Sequence, residues 1–387
     1  GMLYVGSETQ VHYSWTRGKT WAPLKLNMPT VAISDLHVKD NDLVVGTNGR
    51  SIWILDDLTP LRQWSPKLAQ GTHLFPTAPA IRWRYHGENY AGEDRLPGDN
   101  PPKGAVIQYH LDRKPKEEIT LEIHDAKGGL VQTYSSKKQA GDDEEHPDVP
   151  WTVFKPTVLP KEIGINRVAW DLTYAGPTII PGAKNDAGTP RRGPSAPPGV
   201  YTLKLTVDGK TLTGSVEVRL DPRVKMSPQD LAEQHRLAMQ LREDITQLSN
   251  TVRALRLVRK QLQVLQETWH DESRSKAQLG NGPLAKDAKA ILTRLDTLEE
   301  KLHNPKAEVT YDILAMKGGA KLYSQQAQLY EAVRDGDGPI TQGMREVHGD
   351  QRRDWERLSK EWRDVLAEIQ RFNAAAKAAG VPAIGVK

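Results

Sequence analysis

The chain has 387 residues, with 53 Lys and Arg against 49 Asp and Glu, a net charge of +4 and no cysteine. Lack of cysteine excludes disulfide frameworks, thiolate metal sites and cysteine nucleophiles, and it leaves the redox compartment open. The near-balanced charge lacks the concentrated basic excess of a nucleic-acid binder, and no apolar run approaches the roughly 18 residues of a membrane helix. Neither nucleic-acid binding nor membrane insertion is therefore expected.

Residues 1–63 are short apolar runs between turn residues, among them Leu3-Tyr4-Val5-Gly6, Leu43-Val44-Val45 and Ile52-Trp53-Ile54-Leu55. Runs of this length, rich in Val, Ile, Tyr and Trp, predict an antiparallel meander. Asp40-Asn41-Asp42 and Asn48-Gly49 supply its hairpin punctuation. Residues 64–104 carry few periodic apolar positions and many Pro, Gly and charged residues, and are expected to form a long irregular linker.

In residues 105–222 the two-residue period returns. Ile119, Leu121 and Ile123 alternate with polar neighbours, as do Tyr201, Leu203, Leu205 and Val207, and Val168, Trp170 and Leu172 mark a further strand. Strands with one buried face, turned at 125–129 and at Asp208-Gly209, predict a β-sandwich. The acidic run from Asp142 to His146 and the Gly/Pro-rich stretch 176–199 interrupt it, and both are expected to be exposed loops.

After Asp221-Pro222 the period becomes helical. Ser227-Pro228 reads as an N-cap followed by proline at the first helical position, opening a helix of about 40 residues and roughly 60 Å. A second apolar stripe from Leu284 to Leu302 stops at Asn304-Pro305, a weaker third covers Leu322, Leu329 and Val333, and a fourth runs from Met344 to Phe372. Residues 226–380 are thus expected to form an antiparallel four-helix bundle, with Trp269, Trp355 and Trp362 as packing residues.

The most specific local signal is Ser14-Trp15-Thr16-Arg17-Gly18-Lys19-Thr20-Trp21. It resembles the Asp-box, or BNR repeat, pattern Ser-x-Asp-x-Gly-x-Thr-Trp, with Thr16 in place of the Asp. In that family the box is a structural turn of a β-propeller blade, which here assigns Ser14, Thr16, Gly18, Thr20 and Trp21 a structural role. The stretch from Asp42 to Asp57 resembles the closing blade of bacterial sortilin-like BNR propeller proteins, and Pro197-Pro198-Gly199-Val200-Tyr201-Thr202-Leu203 is similar to the late hairpin of their Ig-like sandwich.

The resemblance implies an α+β multidomain chain: an incomplete propeller blade, an Ig-like β-sandwich and a helical bundle. It implies a non-catalytic scaffold or interaction region of an extracellular or periplasmic parent, presenting surfaces to glycans or proteins. A propeller needs at least about four blades to close, so exposed blade edges are expected to favour self-association. Gly1 ahead of Met2 matches a cleavage scar, and the expectation is a fragment or a truncated reading frame. Many such proteins carry a glycosyl hydrolase label. Sialidases of that class spread an arginine cluster, a Tyr/Glu nucleophile pair and an acidic Asp over several blades, and none of these roles transfers to a numbered position here. The alternative is therefore a sialidase-like parent whose active site lies in other blades.

No catalytic residue, cofactor or metal site is expected. The histidines stand singly, without zinc-ligand spacing, and the Asp142–His146 run lacks the alternating ligand pattern of a calcium loop. Arg50 reads as a turn residue. Trp83, Tyr85, His86, Glu88 and Asn89 form the one cluster suited to stacking on and hydrogen-bonding a sugar; anchoring the linker is the favoured reading.

Overall fold

The computed structural model describes residues 2–83, 102–138, 157–185, 188, 190–270, 282–307 and 318–386. The protein is a mixed α+β chain of two compact units. The first takes the described residues up to 138, 157–172 and 198–221, and the second takes 173–185, 188, 190–197 and those from 222 onward.

The first unit opens with two three-stranded antiparallel sheets. One orders β1 (Leu3–Gly6), β2 (Val11–Ser14) and β3 (Ala22–Leu24), the other β4 (Ile33–Lys39), β5 (Asp42–Thr47) and β6 (Ile52–Leu55). Asp40 and Gly49 hold φ of 53° and 82° in the two turns of the second sheet, which is why short polar residues and glycine stand there. The inner faces share a core of Val11, Leu24, Leu43, Val45 and Leu58, the last just ahead of helix α1 (Thr59–Gln63).

Two further sheets follow. The larger orders β11 (Leu130–Ser135), β10 (Thr120–His124), β13 (Gly199–Val207), β14 (Lys210–Leu220) and β8 (Ala80–Arg82). The smaller orders β12 (Gly164–Trp170), β9 (Ala105–Leu111) and β7 (His73–Leu74). Alternate residues of β10 and β13 are buried, as their period requires, and the Trp170 and Tyr201 rings meet edge to face at 5.1 Å. The segment expected to be irregular supplies one strand to each sheet: β7 pairs with β9, and β8 pairs with β14 in parallel. Two- and three-residue strands are too short to show an alternation in sequence.

The second unit is helical. Helix α2 (Pro228–His270) starts at a reciprocal cap in which Ser227 Oγ accepts from Asp230 N at 3.1 Å and Ser227 N donates to Asp230 Oδ2 at 3.2 Å. Helices α3 (Pro283–Leu302), α4 (Leu322–Arg334) and α5 (Gln342–Ala378) complete it. Their buried faces form one core with α2, from Leu241 and Ile245 through Trp269 to Ile291, Tyr330, Trp362 and Phe372. Among the described residues no helix is long and apolar enough to cross a membrane.

Side-chain pairs fix the directions of these helices. Arg256 meets Glu299 while Arg259 meets Asp296, so α3 runs antiparallel to α2. The last turn of α4 lies beside Gln234, whose Nε2 donates to Val333 O at 3.0 Å. Its first turn lies further along α2: Tyr323 Oη accepts from Ile180 N, and the nearby Thr178 N donates to Thr246 Oγ1. Helix α4 is thus also antiparallel to α2 and continues the direction of α3, the two being joined end to end by Asn304 Nδ2 donating to Gly319 O at 3.4 Å. Helix α5 returns along α3, with Lys301 paired to Glu361 and Arg294 to Glu368. Within the stretch expected to form an antiparallel four-helix bundle, α3 and α4, of 20 and 13 residues, together flank the 43-residue α2.

The stretch 176–199, expected to be an exposed loop, packs in part into this unit. Ile180 and Ala183 join the helical core, Arg256 Nη1 donates to Pro181 O at 2.8 Å, and Tyr330 Oη donates to Arg192 O at 2.8 Å. Glycine makes this possible: a Cβ at Gly193 would stand 1.7 Å from Tyr174 O, and one at Gly176 would stand 2.1 Å from Arg191 O.

Candidate interaction surface

The turn between β2 and β3 is built by two hydroxyls. Ser14 Oγ accepts from Gly18 N at 2.8 Å and from Thr16 N at 3.3 Å, while Thr16 Oγ1 accepts from Thr20 N at 2.8 Å. Arg17 and Gly18 both hold positive φ, so backbone N–H groups point inward to these acceptors. Thr16 thus holds the turn with a single oxygen. Thr16→Val, which keeps the shape and removes the acceptor, is expected to cost about 1 kcal/mol in urea unfolding, and Thr16→Asp to be at least as stable as the parent. Trp21 and Trp15 are each more than a third exposed; Trp15 stacks edge-on to Tyr13 at 4.5 Å and donates from Nε1 to Leu61 O at 2.7 Å.

The outward sides of β1 and β6 are apolar, whereas β4 turns Asp35, His37 and Lys39 outward beside them. On β1, Tyr4 turns to the core while Leu3 and Val5 are 44% and 45% exposed; on β6, Trp53 and Leu55 turn inward while Ile52 and Ile54 are 68% and 58% exposed. An antiparallel strand that faces water on one side normally alternates apolar with polar residues. Here both alternating sets are apolar, and Leu26, 69% exposed after β3, adds to the same part of the chain.

A polar knot closes the second sheet. Asp57, with φ of 58°, accepts from Thr59 N at 3.0 Å and from Asn41 Nδ2 at Oδ1, and from Gln108 Nε2 at 2.7 Å at Oδ2. Asp42 Oδ1 accepts from Asp57 N at 2.8 Å, and Arg167 lies 3.8 Å from Asp56. Burial pushes the Asp56 carboxyl upward, the neighbouring charge of Asp42 adds to this, and Arg167 partly offsets it. Both oxygens of Asp57 are occupied by donors, from the Thr59 backbone and the Asn41 and Gln108 side chains, a structural arrangement rather than a pair of carboxyls flanking a cleft.

The remaining sequence-selected residues are dispersed. Arg50 lies in the β5–β6 turn, where its N–H donates to Thr47 Oγ1 at 3.2 Å and its carbonyl accepts from Trp53 Nε1 at 2.9 Å. Trp83 is 46% exposed, whereas Tyr85, His86, Glu88 and Asn89, like the Asp142–His146 run, lie outside the described residues. Among the described residues no three His, Asp or Glu side chains stand close enough to hold a metal ion.

Sequence reasoning missed two charged clusters inside the helical unit. Glu299, 2% exposed, accepts from Arg256 Nε at 2.8 Å and pairs with Arg259, and His303 Nε2 lies 2.8 Å from the same carboxylate. Asp244, equally interior, sits 3.0 Å from His348 Nε2 and 3.6 Å from Arg352. The first was detectable: Glu299 interrupts the apolar stripe Ile291, Leu295, Leu298, Leu302, and a charge on a buried stripe demands partners.

No protein-family model and no curated protein matches the chain. Among solved structures, a chain designated pT26-6p aligns at 10% identity with a TM-score of 0.14, over 67% of this chain and 46% of that one. The chain thus spans less than half the length of that protein, and a likeness so slight carries no argument about fold or activity.

Proposed function

We propose that the chain is a scaffold and interaction region whose first two sheets are a docking face for further β-structure. The observation that carries this reading is the double apolar patterning of β1 and β6, with Leu3, Val5, Ile52 and Ile54 directed to solvent. Rows of alternate apolar residues on strands fit the matching rows of a facing sheet about 10 Å away. Neighbouring blades of a BNR-type propeller would present such rows, which agrees with the Asp-box resemblance of Ser14–Trp21 and with the hydroxyl-built turn found there.

On this reading the two later sheets form the Ig-like β-sandwich of that architecture, and the helices form its bundle, with the middle element split into α3 and α4. The parent protein is exported to the periplasm or the extracellular space, and the exposed Trp15 and Trp21 belong to the surface it offers to glycans or proteins. A sialidase-like activity would reside in other blades of such a parent. The reading is tested by the solvent exposure of the Ile52 and Ile54 face, probed with an apolar dye and with Ile52→Lys/Ile54→Lys.

A further inference from the structure

The far half of α2 carries a second apolar surface unrelated to the sheets. Positions 257, 261, 264 and 268 recur at spacings of four, three and four, so they share one helical face. On it Leu257 and Val264 are 43% and 52% exposed, with Leu265 and Trp269 at the base. The opposite wall is the segment 381–384, and the space between them is about 500 Å³, within the size range of small-molecule sites.

This wall is fastened rather than draped. Asn373 grips residue 384 with both ends of its amide: Nδ2 donates to Ile384 O at 2.9 Å, and Oδ1 accepts from Ile384 N at 2.7 Å. Gln261 grips the next residue in the same way, with Nε2 donating to Gly385 O and Oε1 accepting from Gly385 N, both at 2.8 Å. Val381 and Ile384 of this strap are buried, so the groove keeps its width without an occupant. The polar lining is largely committed: Gln261 holds the strap, and Thr268 Oγ1 donates to Val264 O within the helix. The exception is Lys260, which lines the groove, is exposed, and pairs with no carboxylate among the described residues.

We propose that this groove binds a single-chain amphiphile with a carboxylate head, a fatty acid: the aliphatic chain lies between Val264, Leu265 and the strap, and the carboxylate pairs with Lys260. An apolar trough with one cation at its margin matches an apolar chain ending in one negative charge, whereas a peptide or a second chain would bring backbone amides that the committed polar groups cannot satisfy.

The test is a fluorescence titration of the full chain with 11-(dansylamino)undecanoic acid, below its micellar range, followed by displacement with dodecanoate and with dodecanol. Saturable binding is expected, about tenfold or more weaker in Val264→Arg, where the new side chain fills the mouth, and about fivefold weaker in Lys260→Glu. Dodecanoate should displace the probe about fivefold better than dodecanol. Both substituted positions are exposed, so unfolding curves of the variants should match the parent and separate lost binding from lost fold. Absence of saturable binding, full binding by Val264→Arg, or equal displacement by the alcohol would overturn the proposal. So would a concentration-dependent rise in mass that Val264→Arg abolishes without any probe bound, which would assign the groove to a second copy.

Discussion

Glu299→Gln is expected to destabilise the helical unit by about 3–5 kcal/mol at neutral pH, the cost of removing one partner from a buried ion pair. The carboxylate is 2% exposed and sits against Arg256, Arg259 and His303, so its loss strands cationic groups in a low-dielectric interior. Burial alone would raise its pKa, but hydrogen bonds from His303 and Arg256 and the charges of Arg259 and Arg256 outweigh burial and hold it at about 2, against a reference of 4.5. A group whose folded pKa is depressed stabilises the fold above its unfolded pKa and loses that contribution as pH falls through the folded value. The difference between the parent and Glu299→Gln should therefore be full above about pH 5 and shrink by about 3 kcal/mol as pH falls toward 2. Urea unfolding of both proteins across that range measures it, and other carboxylates, common to both, cancel. A difference that does not vary with pH would show that Glu299 carries no charge in the folded protein.

Gly193→Ala is expected to cost about 3 kcal/mol or more, although it adds a single methyl group. That methyl would stand 1.7 Å from Tyr174 O and 2.5 Å from Tyr174 C, and neither is a side-chain end that can rotate away. The approach is set by pairing between the two stretches: Thr173 bridges Ser195, and Tyr174 N donates to Pro194 O at 2.8 Å. To admit the methyl, the chain must part there and loosen the segment 176–185 that carries Ile180 and Ala183 into the helical core. A reduced melting temperature checks this, with Gly182→Ala as a comparison, since Gly182 has positive φ but open space around it. Gly193 does not hold positive φ, so a loss no greater than that of Gly182→Ala would show that the chain parts at Tyr174 at little cost and would contradict the crowding argument.

Local chemistry was legible in the sequence where a side chain acts on its own neighbours. Ser227 caps α2, and Asp208-Gly209 turns β13 into β14 with φ of 46° and 75°, because both depend only on nearby backbone groups. Helical periodicity located α2 to α5, but it gave no support to the expectation that each helix reverses the one before, since an apolar stripe looks the same whichever way its helix runs. The continuation of α3 into α4 is decided by partners distant in sequence, Gln234 with Val333 and Asn304 with Gly319. Composition misled at 176–199, where glycines that read as loop markers allow close backbone packing. The outward rows of β1 and β6 were present in the sequence as continuous apolar runs, but a run buried on both faces and a run with one face left open have the same letters. The groove along α2 was hidden for a related reason: its far wall comes from residues more than a hundred positions away.

The most direct test of the central claim is fluorescence of an apolar dye such as anilinonaphthalene sulfonate on the folded chain, measured in a Val264→Arg background that closes the α2 groove. If Ile52 and Ile54 form an open docking face, Ile52→Lys/Ile54→Lys should remove most of the dye signal while leaving the unfolding free energy within about 0.5 kcal/mol of the parent. An unchanged dye signal, or a loss of about 2 kcal/mol or more of stability, would show that this face is already covered within the chain and would contradict the account.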